Sequence, residues 1–236
     1  MKKQFRLSSV CLLVLVVLGG RLLQAQTLDE ALNVPGGTLE FTSSSTGSPP
    51  YPWVVTGPEA AHDGVSAARS GATGYHYSYG TYIRSLLDTT LTGPGMLTFW
   101  SKRVEQGQLS LYVNGNFLQS IEYGGSGSGE WRFHQVKIPI TEPGTVQWCF
   151  ENRKYGSEPG QTEHYVLLDE VCWYPADEQG YVFQLNAGGE SYAIWAYFGQ
   201  AATVSVPATF ADKPVTVIGA NAFAGNENFT AVALPA

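Results

Sequence analysis

Apolar and polar residues alternate with a period of two along most of the chain after residue 37. Clusters of Gly, Pro, Ser and Asn interrupt this alternation, a pattern typical of half-buried strands joined by turns. The only helical stretch that we predict with it is short, at residues 27–33. The pattern predicts strands at residues 38–42, 96–100, 109–113, 131–138, 146–150 and 165–173. We therefore expect an all-β sandwich over residues 27–175.

Asn114 and Gly115 stand between two of these apolar runs, LSLYV and NFLQSIEY. Both residue types tolerate positive φ, which a two-residue type I′ hairpin turn requires at its two central positions. The pair therefore predicts a tight hairpin.

The first 25 residues have the composition of a secretory signal peptide. Lys2, Lys3 and Arg6 precede an apolar run at 10–18, and Ala25 ends a small-residue cleavage pattern. The run is shorter than the ~20 apolar residues that span a bilayer. We expect cleavage after Ala25, export, and no membrane span in the mature chain.

The charge of the chain narrows the classes of partner. The net charge is −7, and removing residues 1–25 takes away four basic residues and no acidic ones, which leaves −11. Such a surface repels nucleic acid and anionic lipid. Proteins, neutral glycans and cations remain as expected partners.

Cys149 and Cys172 lie on two predicted strands, and the turn-like residues 158–161 fall midway between them. If the two strands pair about that turn, alternation brings both thiols to the same outer face. A cross-strand disulfide then fits an exported chain. The alternative is two separate thiols that are partly buried.

Five segments of the sandwich carry a family resemblance: GPGMLTFWSKR, LSLYVNG, EWRFHQVKIPI, GTVQWCFENRKYG and HYVLLDEVCW, in that order. They resemble the MAM-like, concanavalin A-like jelly-roll module of secreted bacterial multidomain proteins. The resemblance implies a jelly roll that acts as a binding or interaction module at the bacterial surface or outside the cell.

Residues 177–236 have a different texture and a different resemblance. Ser205-Val206-Pro207, Ile218-Gly219 and Ala222-Phe223, together with the closing Leu234-Pro235, are similar to the start of a BspA-type leucine-rich repeat domain. The resemblance implies a cell-surface solenoid associated with adhesion. Because such repeats bury their apolar face against neighbours, we expect this segment to be a truncated array.

Concanavalin A-like folds include glycanases, so we examined the acidic residues for a catalytic pair. Asp169 and Glu170 are adjacent and would face opposite sides of a regular strand, and the Glu-x-Asp-x-x-Glu pattern of sandwich glycanases is missing. We predict no enzyme activity and no cofactor. Asp63, Asp169 and Glu170 are candidate calcium ligands, with solvated loop carboxylates as the alternative.

Four tyrosines, Tyr75, Tyr77, Tyr79 and Tyr82, crowd a stretch punctuated by Gly and Ser. Exposed, they would stack on sugar rings or on a protein partner. On an edge strand they would instead cover the core.

These observations favour a non-catalytic interaction or adhesion protein that binds extracellular proteins or glycans. The alternatives are a carbohydrate-binding module, a divergent glycanase, and a sandwich that only spaces or caps the repeats. Exposed, coplanar tyrosines would favour the first alternative, and a cleft with two facing carboxylates near Asp169 would favour the second.

Overall fold

The computed structural model describes residues 26–33, 37–46, 50–71, 75–76, 81–104, 107–121, 132–151 and 164–235. Within these residues, two short helical segments occur, the α-helix α1 at Leu28–Leu32 and a 3-10 helix at Pro58–Ala60. The strands up to residue 175 are β1 Thr42–Ser45, β2 Val54–Thr56, β3 Ala67–Arg69, β4 Tyr75–His76, β5 Thr81–Tyr82, β6 Arg84–Leu91, β7 Gly95–Val104, β8 Gln108–Val113, β9 Asn116–Ile121, β10 His134–Ile140, β11 Gly144–Glu151 and β12 Tyr165–Pro175. The later strands are β13 Tyr181–Leu185, β14 Tyr192–Tyr197, β15 Thr203–Ser205, β16 Thr209–Phe210, β17 Lys213–Ile218 and β18 Ala231–Ala233.

Ten of these strands form two five-stranded sheets that pack face to face. The first sheet has the order β1-β6-β11-β8-β9 and the second β10-β7-β12-β3-β2. Phe99 of the second sheet meets Trp148 of the first edge to face, with ring centroids 5.6 Å apart. Both side chains belong to one buried core that draws on both sheets. The expectation of an all-β sandwich is confirmed.

The short α1 closes one side of this core. Thr27 and Glu30 form a capping box, in which the Thr27 hydroxyl accepts from the Glu30 N–H and the Glu30 carboxylate accepts from the Thr27 N–H. Leu32 is buried in the core. Capping and burial together explain why a five-residue helix forms, although isolated helices of that length are unstable.

The Asn-Gly hairpin is confirmed. Asn114 and Gly115 form the two-residue turn between β8 and β9, with φ of 50° and 76°. The predicted disulfide is wrong, because the strands that carry the two cysteines lie in different sheets. Cys149 is on β11, which has β6 and β8 as its neighbours, and Cys172 is on β12, which pairs with β7 and β3. Both cysteines are thiols.

The strands after residue 180 build a second, smaller core around Tyr181, Ile194 and Val204. β13, β14, β17 and β16 form one sheet in that order, and β15 pairs with β18. Two of these pairings are parallel: β17 lies beside β14, with Val215 opposite Tyr192, and β18 lies beside β15, with Ala231 opposite Thr203. The chain therefore coils so that later strands stack on earlier ones.

The second core and the sandwich touch through aromatic residues. The Trp195 ring of β14 meets the Tyr174 ring of β12 edge to face at 5.1 Å, and Lys137 Nζ of β10 lies 4.6 Å from the Trp195 ring centroid. Within the described part of the chain, no helix has the length and apolar character needed to cross a membrane.

Candidate functional site

One row of side chains crosses the first sheet on its outer face. Strand pairing places Phe117 of β9 opposite Tyr112 of β8, Tyr112 opposite Gln147 of β11, Gln147 opposite Asp88 of β6, and Asp88 opposite Thr42 of β1. Thr42, Asp88, Tyr112 and Gln147 alternate with core residues along their strands, so they point away from the core. The register of β9 shifts between Phe117 and Gln119, and this bulge places Phe117 beside Tyr112 on the same face. We call these residues together the cross-strand row.

The middle of the row is polar and internally hydrogen-bonded. Gln147 Nε2 donates to Asp88 Oδ1 at 2.8 Å. Both residues are half-buried. This pairing fixes two planar polar groups side by side, an arrangement suited to receiving hydroxyl groups.

A charged pair lies on the same face, toward the other end of the strands. Arg84 Nε donates to Glu151 Oε2 at 2.8 Å, and the two residues are opposite each other on β6 and β11. Glu151 is only 4% exposed. The hydrogen bond that Arg84 donates to this buried carboxylate raises the pKa of Arg84 above its usual value. Between the pair and the row lie Ser110 and Cys149, both buried although they point outward.

The β9 end of the row is aromatic and exposed. The Phe117 side chain is 58% exposed, and its ring meets the Tyr112 ring edge to face at 5.7 Å. Beside it opens a recess of about 170 Å³, which we call the end pocket. Its lining residues are Val113, Asn114, Asn116, Phe117, Leu118, Pro139, Ile140, Thr141 and Glu142.

Three hydrogen bonds made by Asn114, which we call the Asn114 staple, shape the end pocket. Asn114 Oδ1 accepts from the Thr145 N–H at 3.1 Å, and Asn114 Nδ2 donates to the Pro143 carbonyl at 3.2 Å. The Asn114 N–H also donates to the Thr145 carbonyl. These bonds tie the β8–β9 turn to the turn that joins β10 and β11, so both walls of the pocket are held together.

On the second sheet, Asp169 and Glu170 do not face opposite sides, and this prediction is wrong. Strand β12 bulges between Asp169 and Cys172, and Glu170 adopts a left-handed φ of 48°. Both acidic side chains then reach His62: Asp169 Oδ2 accepts from the His62 N–H at 2.6 Å, and Glu170 pairs with the His62 ring. The imidazole stacks on Trp100 at 3.8 Å.

Asp169 holds this loop through its backbone. Its side chain is 1% exposed and accepts hydrogen bonds from the backbone N–H groups of His62, Asp63 and Glu170. Burial raises the pKa of Asp169, and the three N–H donors oppose that rise only in part. Both carboxylate oxygens are therefore committed to the fold.

The structure brings the three candidate calcium ligands to one place without arranging them as ligands. Asp63 Oδ1 accepts from the Val65 N–H in its own turn, and Asp169 accepts from the loop amides. No three His, Cys, Asp or Glu side chains are grouped as a metal site among the described residues. Calcium binding by Asp63, Asp169 and Glu170 stays a prediction that these contacts do not favour.

The tyrosine stretch was our sequence candidate for ligand contact. Tyr75 and Tyr82 are paired across the short β4–β5 ladder. Tyr77 and Tyr79 lie outside the described residues. Their predicted role stays a prediction.

The sequence did not single out the cross-strand row, although it carried part of the signal. Alternation in QLSLYV and GTVQWCFE puts Tyr112 and Gln147 on the face opposite the core residues. The alternation does not show which strands are neighbours or in which register they pair.

Comparison with known proteins gives only distant similarity. No protein-family model matches the chain, and no curated protein matches it. The K1 cleaved adhesin domain of Lys-gingipain from Porphyromonas gingivalis W83 is similar over 59% of this chain and 99% of that domain, with 17% identity and a TM-score of 0.39. TmCBM61 in complex with beta-1,4-galactotriose is similar over 57% and 88%, with 16% identity and a TM-score of 0.35. The K3 cleaved adhesin domain of Lys-gingipain gives 56% and 89%, 14% identity and 0.35.

Proposed function

We propose that the chain is a non-catalytic, exported binding protein whose sandwich binds a glycan on the outer face of its first sheet. The observation that carries the proposal is the cross-strand row, in which the exposed Phe117 ring and Tyr112 adjoin the hydrogen-bonded pair Gln147 and Asp88.

The row matches the chemistry of a sugar. A pyranose ring has an apolar C–H side, which packs on aromatic rings, and hydroxyl groups that both donate and accept hydrogen bonds. Phe117 and Tyr112 supply the aromatic contact. Gln147 and Asp88 supply a carbonyl, an amide and a carboxylate held in fixed positions.

The acidic side chains are hydrogen-bonded within the protein, which supports a binding role without catalysis. A glycosidase needs two carboxyl groups that flank the scissile bond and act on substrate. Here Glu151 is held by Arg84, Asp88 by Gln147, and Asp169 by backbone N–H groups. The calcium and tyrosine hypotheses are not needed for this role.

The finer architecture that we propose is a jelly roll followed by the beginning of a leucine-rich repeat solenoid. The chain passes repeatedly between the two sheets, as a jelly roll does. In the second unit, the parallel partners are separated by roughly 20–30 residues, the length of one leucine-rich repeat coil.

This coiled second unit favours a second candidate function, adhesion to an extracellular protein at the bacterial surface. Stacked coils create extended surfaces that bind proteins. In that case the sandwich and the coils would contact different ligands, and the signal-peptide-like N-terminus would serve export in both cases.

The test is an array of glycans and extracellular-matrix proteins probed with the mature chain, the Phe117→Ala variant and the Val54→Ala variant. Val54 is a matched control because it is 51% exposed, on the far edge strand of the second sheet. We expect glycan binding that weakens about tenfold in Phe117→Ala and is unchanged in Val54→Ala. Binding to matrix proteins alone, unaffected by Phe117→Ala, would refute the glycan site and favour adhesion.

A further inference from the structure

We propose that the cross-strand row and the end pocket form one continuous site that recognises the end of a linear, neutral glycan chain. This inference rests on the proposed glycan function and specifies its ligand. The terminal sugar occupies the end pocket against Phe117, and the following sugars cross the strands over Tyr112, Gln147 and Asp88.

The position of the end pocket makes it the terminus of the row. β9 is the edge strand of the first sheet, and β10 is the edge strand of the second. The pocket lies between them, lined by Leu118 of β9 and Pro139 of β10. Phe117 belongs to both the row and the pocket lining. A glycan chain that follows the row toward β9 therefore arrives at the pocket.

The β10–β11 turn forms part of the pocket wall. Thr141 and Glu142 of that turn line it, and the Asn114 staple holds the turn against the β8–β9 hairpin. A volume of about 170 Å³ is smaller than the several hundred Å³ of a site for a drug-sized ligand. This size, with the β10–β11 turn as a wall, suits one ring at a chain end better than a chain that continues past.

The row sets the length of the ligand. Neighbouring strands are about 4.8 Å apart, so the four spacings from Phe117 to Thr42 cover roughly 19 Å. A disaccharide fills only the pocket end of that distance. Affinity is therefore expected to rise with each added sugar until the chain passes the last strand, β1.

The charges around the site select against acidic sugars. Arg84 is the only cation in the five strands of the first sheet, and its Nε is held by Glu151. Asp88 lies in the row, and Glu142 lines the pocket. A uronic or sialic acid in the row or the end pocket would meet these carboxylates, whereas Arg84 lies four residues from Asp88 along β6 and is bonded to Glu151. The mature chain adds a net charge of −11.

The experiment is titration calorimetry on the mature full-length chain at low ionic strength. The probes are β-1,4-linked oligosaccharides of glucose, galactose and N-acetylglucosamine, from disaccharides to hexasaccharides, and oligogalacturonides of matching length. For each neutral probe that binds, a second sample carries a bulky blocking group on its non-reducing end, and a third carries it on its reducing end.

The protein variants separate the pocket from the row. Thr141→Tyr places a bulky ring in the end pocket, and Asp88→Asn removes the charge of the row. Val54→Tyr is the control for the added ring, because Val54 is exposed on the far edge strand of the second sheet. Thermal unfolding checks that each variant folds. The end-blocked ligands test the pocket without any substitution, so the test stands even if Thr141→Tyr does not fold.

We expect affinity to increase with ligand length, and one of the two end blocks to weaken binding at least tenfold. Thr141→Tyr should do the same, and Val54→Tyr should leave binding unchanged. Oligogalacturonides should bind at least about fivefold more weakly than neutral chains, with Asp88→Asn narrowing that gap.

Three results would overturn the inference while leaving the glycan function in place. They are neutral binding that neither end block nor Thr141→Tyr affects, affinity that is independent of length, and acidic chains that bind as tightly as neutral ones. If no neutral or acidic oligosaccharide binds the folded wild-type chain, the proposed glycan function itself fails together with the inference.

Discussion

Replacing Asp169 tests what holds the 57–66 segment onto the second sheet. Asp169 Oδ2 accepts from the His62 N–H at 2.6 Å and from the Asp63 N–H at 3.3 Å, and its Oδ1 accepts from the Glu170 N–H at 2.7 Å. These bonds place the His62 ring on Trp100. We expect Asp169→Ala to destabilise the sandwich more than Asp169→Asn does.

The magnitude follows from the three contacts. A hydrogen bond to a charged acceptor contributes about 1.5–3 kcal/mol, so three would sum to roughly 5–9 kcal/mol if they were additive. Two corrections reduce this sum. Burial raises the pKa of Asp169, so the charged group carries a desolvation cost that alanine lacks. His62 is also only partly buried, so in the variant the segment that carries it can move away from the sheet and its N–H groups can bond to water instead. We therefore expect a loss of about 2–4 kcal/mol for Asp169→Ala.

Asparagine keeps the shape and one carbonyl oxygen but turns an NH₂ group toward at least one N–H donor. One unsatisfied buried donor costs about 1–3 kcal/mol, and we expect a loss in that range. Urea unfolding measures both losses, with Glu59→Ala, an exposed change in the same segment, as the control. Hydrogen exchange should accelerate at the His62 and Asp63 amides in both Asp169 variants. A loss below about 0.5 kcal/mol for Asp169→Ala, with unchanged exchange at these amides, would refute the anchoring role.

Two further predictions concern pH and the contact between the sandwich and the second unit. Burial lowers the pKa of His134 below 6.5, so the folded state favours the neutral ring. Stability is therefore full above about pH 6.5, where the ring is neutral in the unfolded chain as well. It declines as the pH falls toward the pKa of the folded state, because the unfolded chain then binds the proton more readily. Urea midpoints at pH 8 and pH 5 should therefore differ less in His134→Gln than in the wild type, and equal differences would contradict this. Trp195→Ala removes the edge contact to Tyr174 and the cation–π contact to Lys137, together about 1–2 kcal/mol. Calorimetry should show the second unit unfolding at a lower temperature than the sandwich, and a single unchanged transition would speak against coupling through Trp195.

Alternation predicted the strands whose inward residues are apolar. In β11, Val146, Trp148 and Phe150 all belong to the core, and the predicted range 146–150 lies within the observed strand. The same holds for β8, where Leu109 and Leu111 are buried. In such strands the apolar residues at alternate positions indicate which face is buried.

Strand β6 escaped prediction because half of its inward positions are polar. Ser85 and Thr89 are buried together with Leu87 and Leu91. Their hydroxyls have backbone partners elsewhere: Ser85 Oγ accepts from the Gly71 N–H at 3.0 Å, and Thr89 Oγ1 donates to the Glu40 carbonyl at 2.9 Å. Those partners are set by the tertiary fold, so the sequence pattern around residue 87 reads as irregular.

Missing β6 also hid the candidate site. β6 is the neighbour of β11, and it supplies Asp88 to the cross-strand row and Arg84 to the charged pair. Without it, Gln147 has no recognisable partner, and Phe117 is only one more aromatic residue in a hairpin. The bulge at Glu170 lacked a local signal as well, because neither glycine nor asparagine marks the left-handed position.

The two thiols give a direct check on this topology. With β11 enclosed between β6 and β8, Cys149 and Cys172 belong to different sheets, so the mature chain should contain no intramolecular bridge between them. Burial raises the pKa of Cys172, which disfavours the thiolate that oxidation requires. A disulfide closing a loop of this length would contribute about 3 kcal/mol, equivalent to roughly 6–12 °C in melting temperature for a chain of this size. We therefore expect melting curves with and without reductant to coincide, and two thiols per mature chain to react with Ellman's reagent after unfolding. A melting temperature that falls by several degrees on reduction, with fewer than two reactive thiols beforehand, would restore the disulfide and overturn the assignment of β11 and β12 to separate sheets.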